Sequence, residues 1–158
     1  MPDQDRIYMA EAIQLAKHGL YTTEPNPRVG CVIVKNGNIV GRGWHQQAGQ
    51  GHAEVNALLD AGEEAEGATA YVTLEPCSHF GKTPPCANAL IDAKVKRVVA
   101  AMQDPNPLVA GNGFKKLRDA GVEVDFGLLE AEAEALNPGF IKRMKTRLPL
   151  VRVKLAMS

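Results

Sequence analysis

The stretch VGCVIVKNGNIVGRGW, residues 29–44, decides the fold. Its two apolar runs flank Asn36-Gly37, a dipeptide typical of two-residue β-hairpin turns, so it predicts antiparallel strands at residues 29–35 and 38–44. Helical and strand-like patterns then alternate, which predicts an α/β fold: a three-layer α/β/α sandwich whose mixed central sheet is antiparallel at its start and parallel after it. Helices are predicted at residues 3–18, 53–61, 85–93 and 113–120 and along one face at residues 129–144, and further strands at 68–73, 97–102 and 122–126.

Two half-motifs after the hairpin supply metal-ligand side chains. A His-x-Glu triplet begins at His52, and a Pro-Cys pair ends at Cys77 and is followed by Cys86. One imidazole and two thiolates suit zinc, and three protein ligands leave the fourth tetrahedral position for water, whereas a structural site would add a fourth Cys or His. We therefore predict a catalytic zinc site on these three residues, and we expect Cys31, which lies in an apolar run, to be a buried thiol.

Glu54 indicates the chemistry of that site. Inside a helix, His52 and Glu54 would point to separated faces, but at the first turn of a helix beginning near Ala53 both can turn toward one point. The positive ends of this helix and of a second helix opening at Cys86 should stabilise the thiolates. Zinc lowers the pKa of its water to about 7, and an adjacent carboxylate that is not a ligand can move the proton to a leaving group. We therefore predict hydrolysis with Glu54 as the catalytic residue.

A His-x-Glu triplet followed by Pro-Cys-x-x-Cys is typical of zinc nucleobase deaminases. This chain departs from that pattern, because the eight residues SHFGKTPP, at positions 78–85, separate the two cysteines where the usual signature has two residues. The insertion predicts a loop over the metal, and a loop in that place can carry substrate contacts.

Three further segments carry a specific resemblance: TTEPNPRVG at residues 22–30, TLEPCSHFGKTPPC at 73–86 and MQDPNPLVAGNG at 102–113. With them, essentially the whole chain resembles the deaminase domain of the bacterial riboflavin-biosynthesis deaminase/reductase family. The resemblance implies a cytidine deaminase-like fold and one zinc per chain. It also implies the substrate 2,5-diamino-6-(5-phosphoribosylamino)pyrimidin-4-one, whose ring amine is replaced by oxygen.

The resemblance also implies substrate-binding residues. By composition alone, Asn26, Asp104 and Asn106 would be turn formers, but the family pattern places them at substrate-contacting positions, and an amide and a carboxylate suit a diaminopyrimidinone edge. Two histidines, which could otherwise be ordinary surface residues, and a lysine become candidates for lining the pocket, and the lysine is the best candidate for the phosphate. These three residues are His45, His79 and Lys82.

The last residues, VRVKLAMS at 151–158, form a strand-like segment without an evident partner. In the resembled family a segment of this kind begins an NADPH-dependent reductase domain. We therefore expect a deaminase domain at residues 1–147, and at residues 148–158 a linker and the first strand of a missing reductase domain. NADPH would be a cofactor only if that domain follows. A free-standing deaminase with a short tail is the alternative.

Composition favours a small substrate. Eighteen basic residues balance eighteen acidic ones and aromatic residues make up 5%, so the basic footprint of a nucleic-acid-binding protein is lacking. The basic cluster within residues 142–147 is typical of a solvated helix end. No run approaches the roughly 20 apolar residues of a membrane span, and the polar start is unlike a secretory signal. Because two of the three cysteines are needed as thiolates, we expect a cytoplasmic protein. Separately, we expect a homo-oligomer.

Two rival functions stay open at this point. The first is deamination of another base or nucleoside, including an adenosine in transfer RNA, which the long loop between the cysteines and the neutral charge disfavour. The second is a zinc-stabilised binding module without catalysis. That role would leave Glu54 and the open coordination position unexplained.

Overall fold

The computed structural model describes residues 3–19, 28–44, 52–77, 86–105 and 110–137. Two short 3-10 turns, at Lys17–Gly19 and Gly62–Ala65, follow the first two helices. The helices are α1 (Asp3–Ala16), α2 (Ala53–Ala61), α3 (Cys86–Asp92), α4 (Asn112–Asp119) and α5 (Glu130–Glu134), and the strands are β1 (Gly30–Lys35), β2 (Asn38–Trp44), β3 (Thr69–Val72), β4 (Arg97–Ala100) and β5 (Glu123–Phe126).

The five strands form one mixed sheet in the order β2-β1-β3-β4-β5. β1 runs antiparallel to both β2 and β3, and β3, β4 and β5 are parallel to one another. Asn36 and Gly37 connect β1 to β2 with φ values of 52° and 79°, the left-handed conformation that a two-residue hairpin turn requires. The predicted hairpin and the predicted mixed sheet are thus confirmed.

Alternating side chains of β1 divide the core into two layers. Cys31 and Ile33 face a cluster that includes the buried residues of α2, α3 and α4. Val32 and Val34 face a second cluster, to which α1 and α5 contribute. The helices therefore cover both faces of the sheet, as expected for a three-layer sandwich. None of the helices within the described ranges is long and apolar enough to cross a membrane.

The last predicted helix is shorter than its apolar pattern suggested. The helical face was expected to run through residues 129–144, but α5 ends at Glu134 and Asn137 is no longer helical. Pro138 explains the difference, because a proline disfavours helical geometry at the residue before it. The side chain of Asn137 instead bonds to both backbone groups of Arg28, at 2.6 and 2.8 Å. Residues 138–144 lie outside the described part of the chain.

The position of α2 depends on a close contact with β2. A Cβ atom at Gly43 would lie 2.4 Å from the carbonyl oxygen of Ala53 and 2.4 Å from the amide nitrogen of Ala57. Only glycine permits that approach, so the first turn of α2 lies directly on the end of β2. The contact places the beginning of α2 at the same edge of the sheet as the carboxyl ends of β3 and β4.

Candidate active site

The beginning of α2 presents one imidazole and one carboxyl group. His52 is the N-cap residue in an extended conformation, with φ −73° and ψ 167°, and its side chain does not cap the helix. Its carbonyl oxygen accepts the first helical hydrogen bond, from the amide of Asn56 at 3.0 Å. Glu54 lies in the first turn and is 4% exposed. The predicted helix start near Ala53 is confirmed, and with it the placement of His52 and Glu54 at one helix end.

The two cysteines approach His52 from different elements. Cys77 follows β3, and Cys86 is the first residue of α3. The amide of Cys86 donates to Sγ of Cys77 at 3.1 Å, and the amide of Ala87 donates to the carbonyl oxygen of Cys77 at 3.1 Å. Nδ1 of His52 lies 3.1 Å from Sγ of Cys86 and 4.0 Å from Sγ of Cys77. The structure thus brings the three predicted ligand side chains together.

This cluster fits a zinc ion. Its three donor atoms all lie within 4.8 Å of one another. Ligand distances of about 2.0–2.3 Å place the donors of a tetrahedral zinc site about 3.5–3.8 Å apart, which is close to the spacing observed. Within the described ranges, no fourth His, Cys, Asp or Glu joins the cluster, and all three cysteines are free thiols. The donor set therefore matches a catalytic zinc site with one open position, and Cys31 is buried as expected.

The titratable groups of the cluster influence one another. Burial raises the pKa of Glu54 to about 7, and the negative charge of Cys77 acts in the same direction. Hydrogen bonding from Cys86, helped by His52, lowers the pKa of the Cys77 thiol to about 4. The pKa of Cys86 is raised, because its thiol is the donor to Cys77 and is also buried. A carboxyl group with a pKa near neutrality can both take up and deliver a proton, which is what general acid and base catalysis requires.

Of the predicted substrate-binding residues, the structure describes Asp104. It follows β4, and its amide donates to Oε1 of Glu75 at 2.9 Å. Glu75 is a buried carboxylate to which the sequence patterns assigned no role. A signal existed, because an acid at the end of an apolar strand must find hydrogen-bond partners if it is buried. The other predicted substrate-binding residues lie outside the described ranges: Asn26, His45, His79, Lys82 and Asn106.

Comparisons with known proteins agree with this geometry. Residues 2–102 match the family described as the cytidine and deoxycytidylate deaminase zinc-binding region. The chain is 61% identical over 145 residues to a diaminohydroxyphosphoribosylamino-pyrimidine deaminase from Buchnera aphidicola. That match covers 92% of this chain and 99% of the relative. It is 63% identical over 155 residues to the riboflavin biosynthesis protein RibD of Escherichia coli.

The comparisons differ in how much of each relative is covered. The match with the Escherichia coli protein includes 98% of this chain but 42% of that relative. A solved structure of Acinetobacter baumannii RibD superposes with a TM-score of 0.89 at 62% identity, over 90% of this chain and 40% of that one. The fold is therefore the cytidine deaminase-like fold that the sequence predicted.

Proposed function

The chain belongs to the zinc-binding cytidine and deoxycytidylate deaminase family, and we propose that it hydrolyses 2,5-diamino-6-(5-phosphoribosylamino)pyrimidin-4-one to 5-amino-6-(5-phosphoribosylamino)uracil and ammonia, a step of riboflavin biosynthesis. The observation that carries the proposal is the buried Glu54 carboxyl beside a His-Cys-Cys cluster that has no fourth protein ligand among the described residues. The choice of substrate rests on the name of the Buchnera aphidicola relative, nearly all of which this chain covers.

In this proposal His52, Cys77 and Cys86 hold the zinc. A zinc ion held there would act as a Lewis acid and lower the pKa of water, so that hydroxide would be available as the nucleophile near neutral pH. Glu54 takes the proton of the attacking water on its carboxylate and delivers a proton to the departing amine. The water oxygen forms the new bond to the ring carbon, the bond from that carbon to the exocyclic amine breaks, and the amine leaves as ammonia, while the second proton of the water ends on the neighbouring ring nitrogen of the uracil.

The substrate-binding residues in this proposal come from the sequence. Asp104, Asn26 and Asn106 would contact the pyrimidinone edge, since carboxylate and amide groups match its donors and acceptors. Asp104 has the support of its position after β4, at the edge of the sheet where Cys77 also lies. The remaining candidates are the pocket-lining histidines and the phosphate-binding lysine, namely His45, His79 and Lys82.

The wider setting is proposed on the same basis. A site that depends on two thiolates suits a reducing cytoplasm, and a chain of zero formal net charge suits a small phosphorylated substrate rather than a nucleic acid. We place the deaminase domain at residues 1–147 and the linker with the first reductase strand at 148–158, with NADPH as a cofactor of that second domain. We also propose a homo-oligomer.

One assay tests the proposal. Ammonia release is measured from the diaminopyrimidinone phosphate, cytidine, cytosine and guanine, with zinc quantified in the same sample. The expected result is turnover of the first compound with one zinc per chain, bound by two sulfur atoms at about 2.3 Å and one nitrogen in X-ray absorption spectra. Preferred turnover of another base would reassign the substrate. Full zinc loading without turnover of any compound would instead support a binding module.

A further inference from the structure

Glu75 is a buried carboxylate that the deamination chemistry above does not use. It lies between the end of β3 and the Pro76-Cys77 pair, and it is 6% exposed. An ionised carboxylate can only accept hydrogen bonds, so a buried one needs several donors. Among the residues that the structure describes, the donors to its carboxylate are all backbone N–H groups.

The four donors lie on one stretch of chain after β4. Oε1 of Glu75 accepts from the amides of Asp104 at 2.9 Å and Gly111 at 3.0 Å. Oε2 accepts from the amides of Gly113 at 2.8 Å and Phe114 at 3.4 Å. A single oxygen therefore holds both ends of the loop between Asp104 and Gly111, and its partner oxygen holds the beginning of α4.

This contact replaces a local helix cap. The N-cap residue of α4 is Gly111, which has no side chain to cap the helix. Glu75 supplies acceptors for first-turn N–H groups that lack helical partners, and its negative charge lies at the positive end of the helix. A Cβ atom at Gly113 would lie 2.0 Å from the carbonyl oxygen of Pro76, so glycine is needed for α4 to approach the strand end so closely.

The strand end is also attached to the metal cluster. Two residues after Glu75, Cys77 accepts from the amide of Cys86 through Sγ and from the amide of Ala87 through its carbonyl oxygen. One short segment thus binds α3 and the ligand cluster on one side and the loop that begins at Asp104 on the other. A shift of that loop would change its distance from the cluster.

We propose that Glu75 is a positioning residue for the deamination proposed above, on which this inference rests: its carboxylate holds the backbone of Asp104 and Gly111 against the strand end that carries Cys77, so that Asp104 is placed to bind the substrate beside the zinc and Glu54. In this role Glu75 contacts neither the substrate nor the metal. It acts through the backbone amides of Asp104 and Gly111.

The test is Glu75→Gln in the zinc-loaded chain. The new amide group turns two accepted hydrogen bonds into contacts between donors, so the loop should move while the ligands stay in place. We expect one zinc per chain, hydrogen exchange at the amides of Asp104, Gly111 and Gly113 more than about tenfold faster, and kcat/KM lower by about 10²-fold, mainly through a higher KM. Glu63→Gln, which changes an exposed glutamate in the same way, should leave all these quantities unaltered.

Two outcomes would overturn the proposal: a KM within twofold of the unaltered chain, or faster exchange spread evenly over all protected amides. The hydrogen-exchange measurement needs no turnover, so it separates failure of this inference from failure of the proposed substrate. If the assay shows that the chain turns over another base, the KM for that base is compared instead. Should Glu75→Gln fail to fold, Glu75→Asp retains the acceptors on a shorter side chain and should show the same changes at smaller size.

Discussion

The two ends of the parallel strands carry their charged groups in opposite arrangements. At the amino ends, both terminal nitrogens of Arg97 donate to Asp5, at 3.0 and 3.1 Å, and one of them also donates to Asp125 at 2.9 Å. Tyr71 donates its hydroxyl proton to Asp5 as well. Arg97 and Asp5 each stabilise the charged form of the other, and the neutral hydroxyl of Tyr71 also stabilises the Asp5 carboxylate. Hydrogen bonding to Asp5, for example, raises the pKa of the Arg97 guanidinium further.

At the carboxyl ends of the strands, the surroundings favour the neutral form of a carboxyl group instead. Burial and the nearby Cys77 move the pKa of Glu54 toward neutrality. A carboxyl group whose pKa lies near neutrality can exchange a proton in catalysis, and a strongly shifted pKa within a cluster of titratable groups is typical of a functional site. Charged groups that are paired with one another contribute to stability instead. The contrast predicts that substitutions at the carboxyl ends of the strands change turnover, whereas substitutions at the amino ends change the free energy of unfolding.

The largest expected effect belongs to Glu54→Gln. The amide retains the shape of the side chain but cannot accept and return a proton, so kcat should fall by about 10²–10⁴-fold. Zinc content and the free energy of unfolding should remain close to those of the unaltered chain, since neither depends on that proton transfer. Ammonia release per bound zinc is the measurement. Turnover near the original rate with zinc bound would mean that another group moves the protons.

Arg97→Met tests the opposite end. Its side chain is 17% exposed and that of Asp5 is 3% exposed, so the substitution leaves a buried carboxylate without its cation. We expect a loss of about 3–5 kcal/mol in the free energy of unfolding, measured by urea denaturation, with kcat of the folded protein unchanged. The control is Lys115→Met, which breaks the exposed pair with Asp119 and should cost at most about 0.5 kcal/mol. Equal losses in the two variants would contradict a stabilising role for this network.

The pH dependence of stability should reveal Asp5. Burial alone would raise the pKa of Asp5, but hydrogen bonds from Arg97 and Tyr71 hold it below its usual value of 3.8. A carboxyl whose pKa is lower in the folded state stabilises the fold above the unfolded pKa, and that contribution is lost as the pH falls through the folded pKa. Asp5→Asn should therefore cost about 2 kcal/mol at pH 7 and progressively less below about pH 4. Denaturation curves of both proteins across this range would refute the prediction if their difference stayed constant.

The smallest effect is expected at the carboxyl terminus. Asn137 bonds to the backbone of Arg28, whose guanidinium donates to the carbonyl oxygen of Leu136 at 2.8 Å. These contacts attach the end of α5 to the segment before β1, so the domain extends at least to Asn137. Deleting residues 149–158 should leave zinc content and kcat unaltered, whereas Asn137→Ala should cost about 1 kcal/mol of unfolding free energy. Loss of folding on the deletion would place the tail within the deaminase core.

The predicted elements matched the structure best where local chemistry determines them. Asn36-Gly37 specifies a hairpin turn by itself, and the helix predicted at residues 53–61 agrees with α2 (Ala53–Ala61), which ends before a glycine. The prediction was wrong at residues 135–137, where spaced apolar residues suggested a longer helix although Pro138 opposed it, and it stays untested from residue 138 on. Apolar spacing records which side chains are buried, and it does not by itself show that the backbone between them is helical.

The sequence alone determined the donor set of the site, because His52, Cys77, Cys86 and Glu54 have chemistries that suit zinc and proton transfer wherever the fold places them. Tertiary structure decided their protonation. The pKa of Glu54 depends on burial, and the thiolate character of Cys77 depends on hydrogen bonds from other elements. The partners of Glu75 are likewise set by packing, because they lie 29 to 39 residues further along the chain than Glu75. Turn and cap preferences act over a few neighbouring residues, whereas desolvation and long-range hydrogen bonds exist only once the layers have packed.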